Sequence, residues 1–305
     1  MAQVKVARRS SAPVLHLTQE RRQALWGLLF ALPAVVFFLA LFAYPLLYTF
    51  YLSLHSWDLI TPPTWAGFSN YQYILQDPEF VNSVLVTFYY VAGTCVPIVL
   101  LSVLVAAFFN QSFHLRQLSL TVFYIPAVVS LTVWTILWGL VLNPSYGLLT
   151  LVTDRLGVHY VRWLANPHLA MPALILLSIW KGLPYYTVIL LAGMRTIPGD
   201  YYEAAHVDGA NARQTFLRIT LPLLRPILLY VVVISVLVAF QVFTPAYLLT
   251  NGGPGSATRV LPLYIYQTAF SDLRMGDAAT ASVLMFGMML AFTAIQLRVL
   301  RSPER

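Results

Sequence analysis

The chain has 305 residues, 59% of them hydrophobic and only 10% charged. A soluble domain carries roughly 25% charged residues, which excludes a water-soluble globule, and an aromatic content of 14% excludes a disordered chain. The net charge of +7 fits the Lys and Arg that membrane proteins collect in cytoplasmic loops, and does not call for nucleic acid.

In chain order, residues 1–23 form a polar, basic tail with Lys5, Arg8, Arg9, Arg21 and Arg22. No Lys, Arg, Asp or Glu follows from Gln23 to Trp57, and a spanning helix is expected over Ala24–Phe50. That stretch exceeds the roughly 7–15 residues of a signal-peptide core, so it reads as a retained span. Further apolar windows predict helices over Val84–Phe109, Leu118–Leu142, Leu169–Met194, Pro226–Leu249 and Ala278–Leu300. The expected fold is all-α: one polytopic domain, residues 24–300, with six transmembrane helices and a short tail, residues 301–305. Cys95 lies in the second span and reads as a small buried apolar side chain.

The fourth span contains Lys181, the only formally charged side chain inside a predicted span. A lysine there costs at least ~2.5–3.5 kcal/mol on insertion scales and needs a polar cavity or a partner. Ser178, Gly182 and Tyr185 fall on the same helical face and could line a polar cavity with it. The alternative is a structural cation bonding backbone carbonyls at a helix interface. In the fifth span Gln241 is the one central carboxamide, and Ser235 can back-bond to its own helix.

Between the fourth and fifth spans, residues 195–226 are too long for a structureless loop. Two short helices are expected, the first around Tyr201–Ala205 after an acidic-capped Pro198-Gly199-Asp200 turn. Gly209 supplies the bend, Asp208 helps to cap the following turn, and Pro222 and Pro226 end the second helix and start the fifth span. With both termini inside, thirteen Lys and Arg lie on the inner side and four on the outer, so the termini and this loop are expected in the cytoplasm.

The segment EAAHVDGANARQTFLRITLPLLRP, Glu203 to Pro226, resembles the cytoplasmic signature loop of binding-protein-dependent ABC importer permeases. Glu203, Ala204, Ala205, Asp208, Gly209, Ala210, Phe216, Leu221, Pro222 and Pro226 all stand at the family's spacing. AGMRTIP from Ala192, YLLTNGGPGSAT from Tyr247, YIYQTAF from Tyr264, RMGDAAT from Arg274 and WDLITPPTWAGFSNYQYIL from Trp57 resemble the maltose-type sugar permeases. The enteric maltose permease subunit has extra N-terminal helices, whereas this chain has the six-helix form.

The resemblance implies a type I importer permease fold in the cytoplasmic (inner) membrane. It implies ATPase coupling through Glu203, Ala204, Ala205, Asp208, Gly209, Ala210 and Phe216. It places Ser178, Lys181, Gly182, Tyr185, Ser235 and Gln241 on the substrate pathway. The partners it implies are a second, non-identical permease, two ATPase subunits, a solute-binding protein, a sugar-type substrate and lipid. The substrate is an oligosaccharide, disaccharide or polyol, with glycerol 3-phosphate or a glycerophosphodiester as the alternative.

No Gly-rich Lys-Ser or Lys-Thr phosphate loop occurs, so no cofactor is expected on this chain, and ATP and Mg belong to the ATPase subunits. No catalytic triad or nucleophile elbow is visible, which argues against an enzyme, and His114, His159, His168 and His206 lack zinc-ligand spacing. An ion-coupled carrier or channel would want intramembrane acids, and no Asp or Glu falls in a predicted span.

Overall fold

The computed structural model describes residues 19–157 and 161–300; the basic residues of the two tails up to Arg9 and beyond Leu300, and His159, lie outside them. The chain divides into two units after Thr49. The first holds α1 (Gln19–Phe38), a π-helical turn (Leu39–Ala43) and the start of α2 (Tyr44–Ser53). Its large apolar side chains, Leu28, Phe30 and Leu47 among them, are exposed, as lipid-facing residues must be.

The second unit begins with a two-stranded antiparallel ribbon, β1 (His55–Ser56) and β2 (Thr64–Trp65), and α3 (Ser69–Gln76). Then come α4 (Pro78–Asn110), α5 (Arg116–Val128), α6 (Leu131–Val141), α7 (Leu148–Arg155) and α8 (Pro167–Arg195). The hairpin segments are α9 (Gly199–Val207), α10 (Ala212–Thr215), a π-helical turn (Phe216–Thr220) and α11 (Leu221–Leu223). The chain closes with α12 (Arg225–Phe240), α13 (Thr244–Leu249), α14 (Leu261–Phe270) and α15 (Met275–Leu300).

Among the described residues, five helices are long and apolar enough to cross a membrane, or six when α5 and α6 count as one broken span. The starts are written in the sequence. Asp77 accepts the Glu79 amide at 2.9 Å ahead of Pro78, and Asn166 accepts the His168 amide at 2.9 Å ahead of Pro167. A capping acceptor followed by proline satisfies one orphan amide and removes another.

Two expected spans are not continuous. In place of one helix over Leu118–Leu142, α5 and α6 meet at a 97° bend. Pro126 withholds an amide near the end of α5, and Val129 and Ser130 are extended, with ψ of 137° and 140°. The fifth span likewise breaks after Phe240 and resumes at Thr244, with Pro245 in the first turn of the new segment.

Helix α4 is the spine of this unit. From Phe80 to Phe109 it rises about 43 Å at 1.5 Å per residue, and it threads three apolar clusters in order. Phe80 packs with Ile74, Leu261 and Tyr264; Tyr90 and Cys95 pack with Leu174, Leu177 and Phe240; Ile98 and Phe109 pack with Leu190, Met194 and Leu224. Cys95 is free and buried.

The end of the unit opposite the hairpin is tied by polar contacts between distant segments. Tyr264 donates to Asp77 at 2.6 Å, Arg259 pairs with Glu79, and the Leu261 amide donates to Thr87 Oγ1 at 2.7 Å. Asn70 donates to the Ser53 and His55 carbonyls, both at 3.0 Å, and Met275 N donates to Trp57 O at 2.9 Å. At Gly276 a Cβ would land on the His55 carbonyl, so this close approach requires glycine. The first loop and the start of α15 therefore form one stiff cap. Within that loop, backbone and hydroxyl donation from Thr61 and the Ile60 amide hold the exposed Asp58 carboxyl below the usual carboxylate range.

Candidate functional site: the hairpin between α8 and α12

The signature residues assemble into a helical hairpin. Helix α9 starts after Pro198, which is extended and offers no side-chain cap; Asp200 lies in the first turn instead of at the cap. The helix ends in a double closure. Ala210 N donates to Ala205 O at 2.9 Å, and Gly209 N donates to His206 O at 3.1 Å. This is the Schellman arrangement, which needs a left-handed residue at the second of those donors, and Gly209 has φ +70°.

The spacing of Ala205, Gly209 and Ala210 is thus the spacing of a helix stop. Ala205 is buried and Ala210 half-buried, where larger side chains would hold the two arms apart.

The second arm is capped by a residue that the sequence reading missed. Asn211 accepts the Gln214 amide at 2.9 Å, and Gln214 Oε1 accepts the Asn211 amide at 2.9 Å, a capping box. Asp208 does not perform this role: it occupies the C-cap of α9, and the Gly209 corner separates it from the next helix. The N-x-x-Q spacing of Asn211 and Gln214 was the available signal. Pro222 does not end the second arm either. It follows the π turn at the start of α11, where a missing amide is tolerated, and the arm stops at Leu224.

One contact ties the two arms of the hairpin together and another seats it against the spans. Tyr202 and Thr220 share a hydrogen bond of 3.2 Å between the arms, and Phe216 packs on the cluster built by Phe109, Met194 and Leu224. The loop after α4 meets the hairpin around a cavity of about 490 Å³ lined by Asn110, Gln111, Tyr202, His206, Ala212 and Phe216. Arg116 closes that loop by donating to the Phe109 carbonyl at 2.6 Å. The opposite face carries Tyr201, Glu203, Ala204, Val207 and Asp208, all exposed, with Val207 at 87%.

The six side chains singled out inside the spans do not share one cavity. Ser178 receives a hydrogen bond from Tyr90 at 2.7 Å and donates to Leu174 O at 2.8 Å. A Cβ at Gly182 would meet Ile98 at 3.0 Å, so Gly182 seats α8 against α4. Ser235 is buried and donates to Val232 O at 2.9 Å, the back-bonding alternative. Lys181 donates to the carbonyls of Pro126 and Val129, on the side facing the broken span. Tyr185, 43% exposed, and Gln241, at the break between α12 and α13, remain on open surface.

Comparison with known proteins agrees with this fold. Residues 85–301 match the family described as the binding-protein-dependent transport system inner membrane component. A trehalose/maltose transport system permease protein of Thermococcus litoralis is 36% identical over 284 residues, covering 91% of this chain and 94% of that protein. A sulfoquinovosyl glycerol transport system permease protein of Agrobacterium fabrum is 33% identical over 286 residues, covering 92% of each. A chain in the crystal structure of a bacterial ABC transporter that imports the acidic polysaccharide alginate has the same fold, with a TM-score of 0.82 at 24% identity over 94% of this chain and 98% of its own. The chain belongs to the binding-protein-dependent transport system inner membrane component family.

Proposed function

We propose that the chain forms half of the translocation pathway of an ATP-driven importer for a carbohydrate: an oligosaccharide, disaccharide or polyol. The observation that carries the reading is the hairpin. Its fold is fixed by a Schellman stop, a capping box and the Tyr202–Thr220 bond, while Tyr201, Glu203 and Val207 are left uncovered. A rigid element with an unpaired apolar and acidic face passes rigid-body motion to or from a second protein. That second protein is an ATPase subunit, present twice in the complex, and it holds the ATP and Mg. Glu203, Ala204 and Asp208 belong to the docking face; Ala205, Gly209, Ala210 and Phe216 hold the shape behind it.

The carbohydrate class is supported by relatives named for trehalose and maltose, sulfoquinovosyl glycerol and arabinooligosaccharides. The remaining partners are a second, non-identical permease and an extracytoplasmic solute-binding protein; a solved neighbour with TM-score 0.81 is a transporter in complex with its periplasmic protein. Both termini and the hairpin face the cytoplasm, on the Lys and Arg distribution. In the pathway itself, Tyr185 and Gln241 offer polar groups to a sugar. Ser178, Lys181, Gly182 and Ser235 shape the wall behind them.

Val207→Asp tests the docking face with little effect on the hairpin fold, because the side chain is 87% exposed. Co-purification with the ATPase subunit is expected to fall at least about tenfold, the effect of burying an unpaired charge at an interface. Full co-purification with unchanged ATP hydrolysis in Val207→Asp and Glu203→Ala would refute it.

A further inference from the structure

The lysine in α8 and the break in the third span explain each other. A helix end leaves its last carbonyls without intrahelical donors, and inside a bilayer no water replaces them. At the α5–α6 joint two of these carbonyls, Pro126 O and Val129 O, accept from Lys181 Nζ at 3.1 and 2.6 Å. Ser130, at the start of α6, contributes no side-chain cap. A lysine brings three donors on a flexible stem, and its positive end suits a helix C-terminus.

The far side of the joint is pinned separately. Trp134 Nε1, in the first turn of α6, donates to Leu177 O at 3.1 Å, one turn along α8 from Lys181. The break in the fifth span is served by similar chemistry. There the Gln241 amide turns to Val238 O, and its own Nε2 donates to Leu237 O at 3.2 Å.

We propose that Lys181 is a positioning residue for translocation: by capping Pro126 O and Val129 O it holds the α5–α6 elbow, and with it the wall that carries Trp134 and Trp138. It does this without touching the transported molecule. The inference rests on the chain acting as a permease, but on no particular substrate.

The test uses the assembled transporter in lipid nanodiscs and liposomes, with Cys95→Ser and spin labels at Gln117→Cys in α5 and Leu140→Cys in α6. Pulsed electron-spin distances across the elbow are measured beside ATP-driven uptake of radiolabelled trehalose. Lys181→Met is expected to broaden and lengthen the distance distribution and to lower the uptake rate about tenfold or more, the scale of leaving these half-buried carbonyls unsatisfied. The half-saturating trehalose concentration is expected to stay within about twofold, since Lys181 makes no contact with the sugar. Lys181→Arg, which keeps donors and charge, is expected to restore both readouts.

An unchanged distance distribution in Lys181→Met would overturn the proposal. So would unchanged distances accompanied by a raised half-saturating concentration, which would make Lys181 a ligand contact. If Lys181→Met does not assemble, Lys181→Gln keeps an amide donor, and a wild-type distribution with lost uptake there would equally overturn it. Failure of the unsubstituted complex to take up trehalose would count against that substrate, and the distance readout would still decide the elbow.

Discussion

Gly209 has φ +70°, and a Cβ there would meet nothing within 4 Å. The demand on this residue is therefore backbone conformation, not space. A left-handed residue with a Cβ costs about 1–2 kcal/mol, and a β-branched one suffers most. Gly209→Val is expected to insert in the membrane normally yet lose ATPase co-purification or binding-protein-stimulated hydrolysis. Gly209→Asn, which tolerates left-handed backbone, is expected to keep most of both. Equal behaviour of the two variants would show that the corner plays no part. Gly209 was legible in the sequence because glycine is the residue type this corner demands. Lys181 was legible only as an anomaly: its cost could be read, but its partners come from a helix some fifty positions earlier, joined by a break that no local pattern announces. Asp208 shows the opposite failure, an acidic residue credited with a cap that the chain gives to Asn211.

At the level of elements, the capping box sets how firmly the second arm of the hairpin is held. Asn211→Ala removes the side-chain half of the box, the bond from the Gln214 amide to Asn211 Oδ1, and is expected to cost about 1 kcal/mol of local stability. Hydrogen exchange at the Gln214 and Thr215 amides should rise, while the assembled complex keeps its subunits. Unaltered exchange would mean that packing by Phe216 alone holds the arm. The spans themselves were readable because a charge-free window of sufficient length has few other uses. The breaks were not, because apolar content reports transfer into lipid and says nothing of straightness. Pro126 and Pro245 stood in view, but membrane helices often absorb proline, so neither alone marks a corner. The long start of α4 was missed for a related reason: Asp77 and Glu79 look like the end of a loop, and they are the cap and first turn of a helix that continues into the spans.

For the whole molecule, the two ends of α4 have different characters. One end is locked by Arg259–Glu79, Tyr264–Asp77 and the Asn70 bonds; the other carries the hairpin and its surrounding cavity. A stiff cap at one end and an exposed hairpin at the other suit a body that receives force on one side of a membrane and changes access on both. The proposed topology, with the hairpin in the cytoplasm, rests on the Lys and Arg distribution. In a Cys95→Ser background, Asn211→Cys should react with an impermeant maleimide only after the membrane is opened, and Thr61→Cys in intact cells. The reverse pattern would invert the topology and remove the hairpin from ATPase coupling. The exact substrate was the least legible property, since the proposed pathway would draw on a few exposed side chains and on a partner chain. The central claim is tested most directly by uptake into proteoliposomes holding this chain, its partner permease and the ATPase subunit, with the binding protein outside and ATP inside. Accumulation of trehalose, maltose or an arabinooligosaccharide that requires both ATP and the binding protein, and that Gly209→Val abolishes, is the predicted result; accumulation driven by an ion gradient without ATP would contradict it.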